Sequence, residues 1–422
     1  MDSLMQFMVA GVVAIFVLPS SHCLSNRLYN VSALMPGVNE FALKFLTEVE
    51  NSQKGNTVVS PISLQIALGV LYPGAAGHTK SDMKKVLGIR VTPEQYLETF
   101  NGYWLGNSGG LLHIYSIVLL DKSVHFTDPY KEVAQVTAEV RKIDMKDPKK
   151  SAKIVNKMCS EVTGGLIKNV VSEEDISGEE TAMMIVNAIQ FKAAWSAPFS
   201  EKHTELRTFS TVDESGSISQ VKVPMMQEHL YATRLHNKHH PKLDAQIVAL
   251  EYKNGLHVFG NDYANSFEDP DKFVMLIILP TKVDGIQKTL KKLKDVDLVD
   301  VVKSLSPANV KMTLPKFKQD VKVELKGALK KMGLKSIFND ADFSNMSKSS
   351  KIAVSKVLQR AVISVAENGT EAAAATAAVG KLGINTFKDY EFIATHPFIY
   401  IITKEHTVAP VFEGVVMKPE WS

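Results

Sequence analysis

The chain opens on an apolar run and then settles into alternating patterns of two kinds. Phe7 to Leu18 is twelve residues of nearly unbroken apolar character, followed by Pro19, Ser20, Ser21, His22 and Cys23. From Asn39 to Val49 apolar residues recur at helical spacing, which predicts an amphipathic helix. Asn56 to Ser60 is short and β-branched, and Pro61 then opens a second helical pattern, ISLQIALGVLY. Thr79, with Asp82 three residues on, predicts a capped start for a helix through Leu87. Further helical stretches are predicted at Asp128–Glu139, Ser151–Thr163, Gly285–Lys294 and Val323–Met332. Strands are predicted at Leu112–Leu120, Ala182–Lys192, Gln246–Tyr252, Phe273–Pro280, Asn309–Phe317, Ala361–Ala366 and Phe398–Thr403. Many of these are apolar on both faces, so the sheets they form must be covered on both sides. The order is neither regular βαβ nor all-β. It reads as α+β. No repeat and no Pro/Gly/Ser-rich linker divides the body.

Composition narrows this picture. Of 422 residues 45% are apolar and 22% charged, enough to build a large core. The net charge of +3 and the lack of an aromatic-basic stripe exclude a dedicated nucleic-acid binder. The first apolar run is too short to span a bilayer comfortably. It fits the hydrophobic stretch of a secretory signal peptide over residues 1–23, with Ser21 and Cys23 as the small residues before the cut. No Lys or Arg precedes that run, only Asp2. No other segment is apolar enough to cross a membrane. Cleavage after Cys23 would leave Cys159 as the sole cysteine, so the mature chain, 24–422, would hold together without a disulfide. Cys159 sits in a helical pattern and reads as a buried or half-buried thiol. The sequons Asn30-Val-Ser, Asn345-Met-Ser and Asn368-Gly-Thr make Asn30, Asn345 and Asn368 glycan candidates.

Three signals point elsewhere and are set aside on physical grounds. Gly106-Asn-Ser-Gly-Gly110 matches a nucleophile-elbow pattern, but a strand rather than a helix is predicted to follow the serine. His229, His236, His239 and His240 cluster in a stretch of weak pattern, which predicts a solvated surface loop and no metal site. Lysines at 288, 291, 292 and 294, and again between 311 and 335, could meet a sulfated polysaccharide; acids such as Asp295 and Glu324 interrupt them, and the wet side of a helix accounts for them.

The most unusual composition lies near the C-terminus. A convincing strand, Arg360 to Ala366, runs into Glu367-Asn-Gly-Thr-Glu-Ala-Ala-Ala-Ala-Thr-Ala-Ala-Val379. Alanine favours helix. Yet every side chain from 372 to 378 is small, which is what a segment needs if it must slip between two existing strands. Gly369 supplies freedom to bend. These residues resemble the hinge of the serpin family of serine protease inhibitors. The resemblance continues through Asn56-Thr-Val-Val-Ser-Pro-Ile-Ser63, Gly74-Ala-Ala-Gly-His-Thr79, Asn187-Ala-Ile-Gln-Phe-Lys-Ala-Ala-Trp195, Pro198-Phe199, Leu314-Pro-Lys-Phe317, Leu334 to Phe338, Ala341-Asp-Phe-Ser344, His396-Pro-Phe398 and Phe412-Glu-Gly414. They keep family order over most of the chain.

What the resemblance implies is an α+β serpin fold with three β-sheets, surrounding helices and an exposed reactive-centre loop at about 367–390. It implies a monomer with no catalytic group and no cofactor, whose partner is an extracellular serine protease trapped as an acyl-enzyme when the cut loop inserts into the main sheet. A non-inhibitory relative that carries a ligand or acts as a chaperone is the alternative; the alanine run argues against it. The implied hinge is Glu367, Gly369, Thr370, Glu371, Ala372, Ala373, Ala374, Ala375 and Thr376. The implied sheet-opening region is Ser60, Pro61, Ser63, Asn187 and Gln359, with glutamine where many relatives carry histidine. Counting from the hinge puts the scissile bond at Gly383–Ile384, with an elastase-like target. Lys381–Leu382 would suit a trypsin-like enzyme and Leu382–Gly383 a chymotrypsin-like one. Residues 254–271 look like a polar and aromatic insertion before a strand.

Overall fold

The computed structural model describes residues 31–421 apart from 53–54, 101–110, 138, 177–182, 214, 254–271, 349–351, 371–386 and 406. The reactive bonds at 381–384, the elbow-like serine, the insertion, residue 30 and the leader therefore lie outside the described residues, as do the hinge positions Glu371, Ala372, Ala373, Ala374, Ala375 and Thr376.

The helices are α1 (Val31–Ser52), α2 (Pro61–Leu71), α3 (Gly77–Val86), α4 (Pro93–Thr99), α5 (Asp128–Thr137), α6 (Pro148–Val162), α7 (Glu173–Ile176), α8 (Ile286–Leu293), α9 (Leu298–Lys303) and α10 (Lys326–Lys331). The strands begin with β1 (Thr57–Val59), β2 (Leu112–Asp121), β3 (Glu139–Ile143), β4 (Met183–Phe191), β5 (Ala193–Ala194), β6 (Glu205–Val212), β7 (Ile218–His240) and β8 (Ala245–Glu251). They continue with β9 (Phe273–Pro280), β10 (Ser306–Pro315), β11 (Phe317–Glu324), β12 (Val354–Ala366), β13 (Gly369–Thr370), β14 (Asp389–Ile393), β15 (Phe398–Lys404) and β16 (Pro410–Val416).

Helix α2 shows how sequence becomes position. Ser60 caps it, its side chain accepting the Ser63 N–H, and Pro61 takes the first turn, where no N–H is needed. Every residue from Pro61 to Leu71 is buried. A helix apolar all round belongs inside a molecule, and α2 packs against β2, β4 and β16.

The main sheet runs β3-β2-β4-β12-β13-β5, with β11 on the far side of β12. Its strands are covered on both faces, as their continuous apolar character requires. Val118, Ile185, Ile189, Val357, Ala361 and Ile363 enter the large core with α1 and α2. The alternate residues Ile117, Val186, Ala188, Leu358 and Val362 form a second core with Val155 and Cys159 of α6. Cys159 is buried, as its helical pattern implied.

The remaining described strands form one continuous ladder, β1-β16-β15-β9-β8-β7-β10-β14, with β6 on β7. Two of the three expected sheets are joined here through β7. Its first part pairs with β6, its middle with β10 and its end with β8. Ala232, within β7, has a φ of 54°. A left-handed residue turns a strand, so one strand serves two sheets.

Several local expectations change. The histidine stretch is not a loop: His229, His236, His239 and His240 lie on β7. Their alternation is blurred because the strand turns at Ala232 and its registers with β10 and β8 shift. His240 is buried, and its Nδ1 accepts the Leu243 N–H at 3.3 Å. Among the described residues no three His, Cys, Asp or Glu side chains group as a metal site. The segment Val323–Met332 is only partly helical, because β11 continues to Glu324 before α10 begins. The helix expected at Asp128–Glu139 ends at Thr137, and Glu139 instead begins β3, paired with β2. Thr79 does not cap α3, whose N-cap is Ala76 with no side-chain bond. Its hydroxyl instead accepts the Asp342 N–H at 2.9 Å, while Ala76 N–H donates to the Asp342 carbonyl at 2.8 Å. Two separate motifs are thereby tied together.

Candidate functional site: the upper seam of the main sheet

Strands β4 and β12 lie side by side in parallel, with Gln359 level with Asn187 and Val362 level with Gln190. Beyond that point they diverge, and β13 enters the gap. Glu367 and Asn368 form a two-residue turn that sends the chain back on itself. Thr370 then pairs with Val365 of β12 on one side and with Ala193 of β5 on the other, antiparallel to both. The first two residues after the turn are thus already a short central strand.

The turn is shaped by close contacts. Gly369 has a φ of +140°, and a Cβ there would sit 2.2 Å from the Ala193 carbonyl oxygen. No side chain fits. Trp195 brackets the turn, its main-chain N–H donating to the Asn368 carbonyl and its Nε1 to that of Ala366, each at 3.0 Å. The Phe199 N–H donates to the Glu367 carbonyl at 2.9 Å. The Trp195 ring stacks on Tyr252 at 4.3 Å, and the Tyr252 hydroxyl meets the Thr370 hydroxyl at 2.7 Å. Burial of the phenol pushes its ionisation far up, so it stays neutral and available for that bond.

Glu367 is 4% exposed. Burial alone would raise its pKa, yet hydrogen bonds from Lys316 and Thr204 hold it below the usual carboxylate value. The Lys316 ammonium stands 2.9 Å from one carboxylate oxygen, and the Thr204 hydroxyl donates to the other at 2.7 Å. Lys316 also lies over the Trp421 ring, 4.4 Å from its centroid. The C-terminal tail is held there by Lys318, whose N–H donates to the Glu420 carbonyl at 2.7 Å. A chain of contacts runs from the tail through one lysine to the turn.

Lower in the same sheet, the expected opening residues are only partly connected. The Gln359 Oε1 accepts the Ser60 N–H at 2.7 Å, and its Nε2 donates to the Ser60 carbonyl and the Ser63 hydroxyl, each at 3.0 Å. A neutral amide therefore ties β12 to the start of α2. Pro61 sets the first turn of that helix without joining the network. Asn187 is fully buried beside Gln359, but among the described residues neither its Oδ1 nor its Nδ2 has a partner.

Sequence reasoning named Glu367, Gly369 and Thr370, and the fold brings them together. It missed Lys316, Thr204, Tyr252 and Trp421 as participants. These come from four separate stretches of chain, and only a charged residue in an otherwise apolar strand junction, Lys316, carried any signal. Asn368 lies in the turn, not in a strand. It is half-buried. Asn345 is exposed, and its amide donates to the Ala75 carbonyl at 3.0 Å. Lys288, Lys291 and Lys292 line the wet side of α8, and Lys288 is paired with Asp244 at 3.2 Å.

Comparison with known proteins places this geometry. The family model described as serpin (serine protease inhibitor) matches residues 36–419. The human protein Serpin B3 is 28% identical over 414 residues, covering 92% of this chain and all of its own. Leukocyte elastase inhibitor of Xenopus laevis is 30% identical over 383 residues, covering 88% of this chain and 95% of its own. Among solved structures, Serpin48 of the insect Tenebrio molitor matches with a TM-score of 0.75 at 26% identity, over 92% of this chain and 99% of its own. The chain belongs to the serpin family, whose members in general inhibit serine proteases rather than catalyse a reaction.

Proposed function

We infer that this protein is a secreted inhibitor that traps an extracellular serine protease covalently, by inserting its cut reactive loop into the main sheet. The observation that carries this reading is the parallel β4–β12 seam with β13 already started in it. Parallel neighbours need not stay paired. A strand running the other way can enter between them and replace one parallel ladder with two antiparallel ones, which pair slightly better per residue. Continuing the register set by Thr370 would put Thr376 level with both Gln359 and Asn187. It would turn Thr370, Ala372, Ala374, Thr376 and Ala378 toward the large core and the odd-numbered residues toward the α6 side. All but Glu371 and Val379 in that stretch are Ala or Thr. Glu371 would come level with Lys192. An inserted Thr376 would bring a hydroxyl to the unpartnered Asn187 amide.

In this mechanism the protease's own serine attacks the loop and forms the acyl-enzyme. The chain contributes no catalytic group. It contributes a faster competing step, insertion, which carries the enzyme away before water can release it. Energy stored in the uninserted fold drives that step, so the native state is secured by a barrier. The proposed bait remains Gly383–Ile384, with Lys381–Leu382 and Leu382–Gly383 as the alternatives.

The test is direct. Incubation with trypsin-, chymotrypsin- and elastase-like enzymes should give a complex that survives denaturing electrophoresis. Sequencing the released C-terminal peptide should begin at Leu382, Gly383 or Ile384. Cleavage without any complex across all three classes would overturn the inhibitory reading.

A further inference from the structure

A cavity of about 620 Å³ opens between the end of α1, the β6–β7 turn, the start of α8 and the C-terminal tail. Nothing in the trapping mechanism uses it. Its volume is in the range of small-molecule sites. Its lining is mixed in a particular way. Val212, Val283, Ile286 and Met417 supply apolar wall. Asp213, Asp284 and Glu420 supply carboxylates, against Lys418 as the one cationic side chain among the described lining residues.

The second observation is Glu50. It lines the same cavity, is 1% exposed, and its Oε1 has no hydrogen-bond partner among the described residues. Buried polar atoms in folded proteins almost always find a partner, and a buried carboxyl without one is costly. Burial lifts this carboxyl to about 7, with the Thr57 hydroxyl acting the other way. A ligand that brought a charged N–H to Oε1 would relieve both the missing bond and the uncompensated charge. By contrast Asp213, at the rim, already accepts N–H groups from Ser215 and Ser217.

We propose that this cavity binds a small organic ammonium ion, with its cationic nitrogen on Glu50 and its hydrocarbon part against Val212, Ile286 and Met417. The apolar wall selects an amphipathic amine over a bare metal ion, and the rim acids favour cations on approach. The site is independent of the reactive loop, so its test does not depend on whether the protein traps a protease.

The experiment is calorimetric titration of the full chain with 2-phenylethylammonium, beside the neutral 2-phenylethanol and the polycation spermidine. One saturable site is expected, at least about ten-fold tighter for the amine than for the alcohol, the scale of one charge-assisted bond. Glu50→Gln should weaken the amine at least about ten-fold without lowering the melting temperature, because it removes a buried acid rather than a support. Gln287→Trp, at the exposed rim, should block binding and leave the fold unchanged. Equal binding of the alcohol, unchanged affinity in Glu50→Gln, tighter binding of spermidine than of the amine, or no saturable heat at all would each overturn the proposal.

Discussion

Lys316 should act as the latch of the main sheet, and the size of its effect follows from its surroundings. Its ammonium is 2.9 Å from Glu367, with the two side chains 18% and 6% exposed. Breaking a fully buried pair costs about 3–5 kcal/mol, and an exposed one about 0–1. This pair lies between, so Lys316→Met should weaken the hold on the turn by about 2 kcal/mol. That is roughly a 30-fold rise in the population with the turn released. Trp421, itself 40% exposed, adds a cation–π contact at 4.4 Å, worth about 0.5–1 kcal/mol, or roughly three-fold. The assay is uptake of a synthetic peptide with the sequence Glu371 to Lys381, followed by native electrophoresis. Uptake should accelerate in Lys316→Met and, less, in Trp421→Ala, and Trp421→Phe should stay near wild type. In the Lys316→Met background, Trp421→Ala should add nothing, because the ring would have no cation to hold. Wild-type uptake in Lys316→Met, or the same Trp421→Ala effect in both backgrounds, would refute the coupling.

Other consequences are equally concrete. Thr376→Arg should turn the inhibitor into a substrate, since an unpaired charge would have to enter beside Gln359 and Asn187 at a cost of several kcal/mol; the gel should show cleaved chain in place of complex. Thr370→Arg is a poorer probe, because Thr370 is already fully buried and bonded to Tyr252, and the native fold should suffer as well. Glu50 makes stability depend on pH. Its folded pKa is raised from 4.5 to about 7, so its contribution is full below about 4.5, falls as pH rises, and is gone above about 7. The difference is about 3 kcal/mol. Denaturant midpoints at pH 5 and 8 should converge in Glu50→Gln relative to wild type, and an unchanged gap would sink this assignment. Asn368 should be unmodified in active protein, because a glycan on the half-buried turn would crowd the contacts of Trp195. Peptide mass mapping with full occupancy and full inhibition would contradict that.

Much of this protein was legible along the chain. Helix α2 announced itself by a mostly apolar helical pattern after a Ser-Pro start. The strands of the main sheet did so by being apolar on both faces; the run of small side chains at 372–378 lies outside the described residues. Gly369 was legible as a bend, and the fold adds the reason that no Cβ fits where Ala193 approaches. Less was visible where a segment serves two structures at once. Strand β7 hid its period because it turns at Ala232 and faces three different neighbours, so its histidines read as a loop. Thr79 read as a cap because capping is a local pattern, whereas its actual partner, Asp342, lies far along the chain.

The sequence by itself determined the α+β pattern, because that depends on side-chain periodicity within short windows, and the family, because its motifs recur in order along the chain. Only the tertiary structure decided that the turn after β12 is already wedged beside β5, and that Lys316 links Glu367 to the C-terminal Trp421. It alone decided that Glu50 faces a cavity with an unmet oxygen. Each of these is a pairing of charge or hydrogen bonds between residues distant in the chain, and no local pattern records which distant partner a buried polar group will meet.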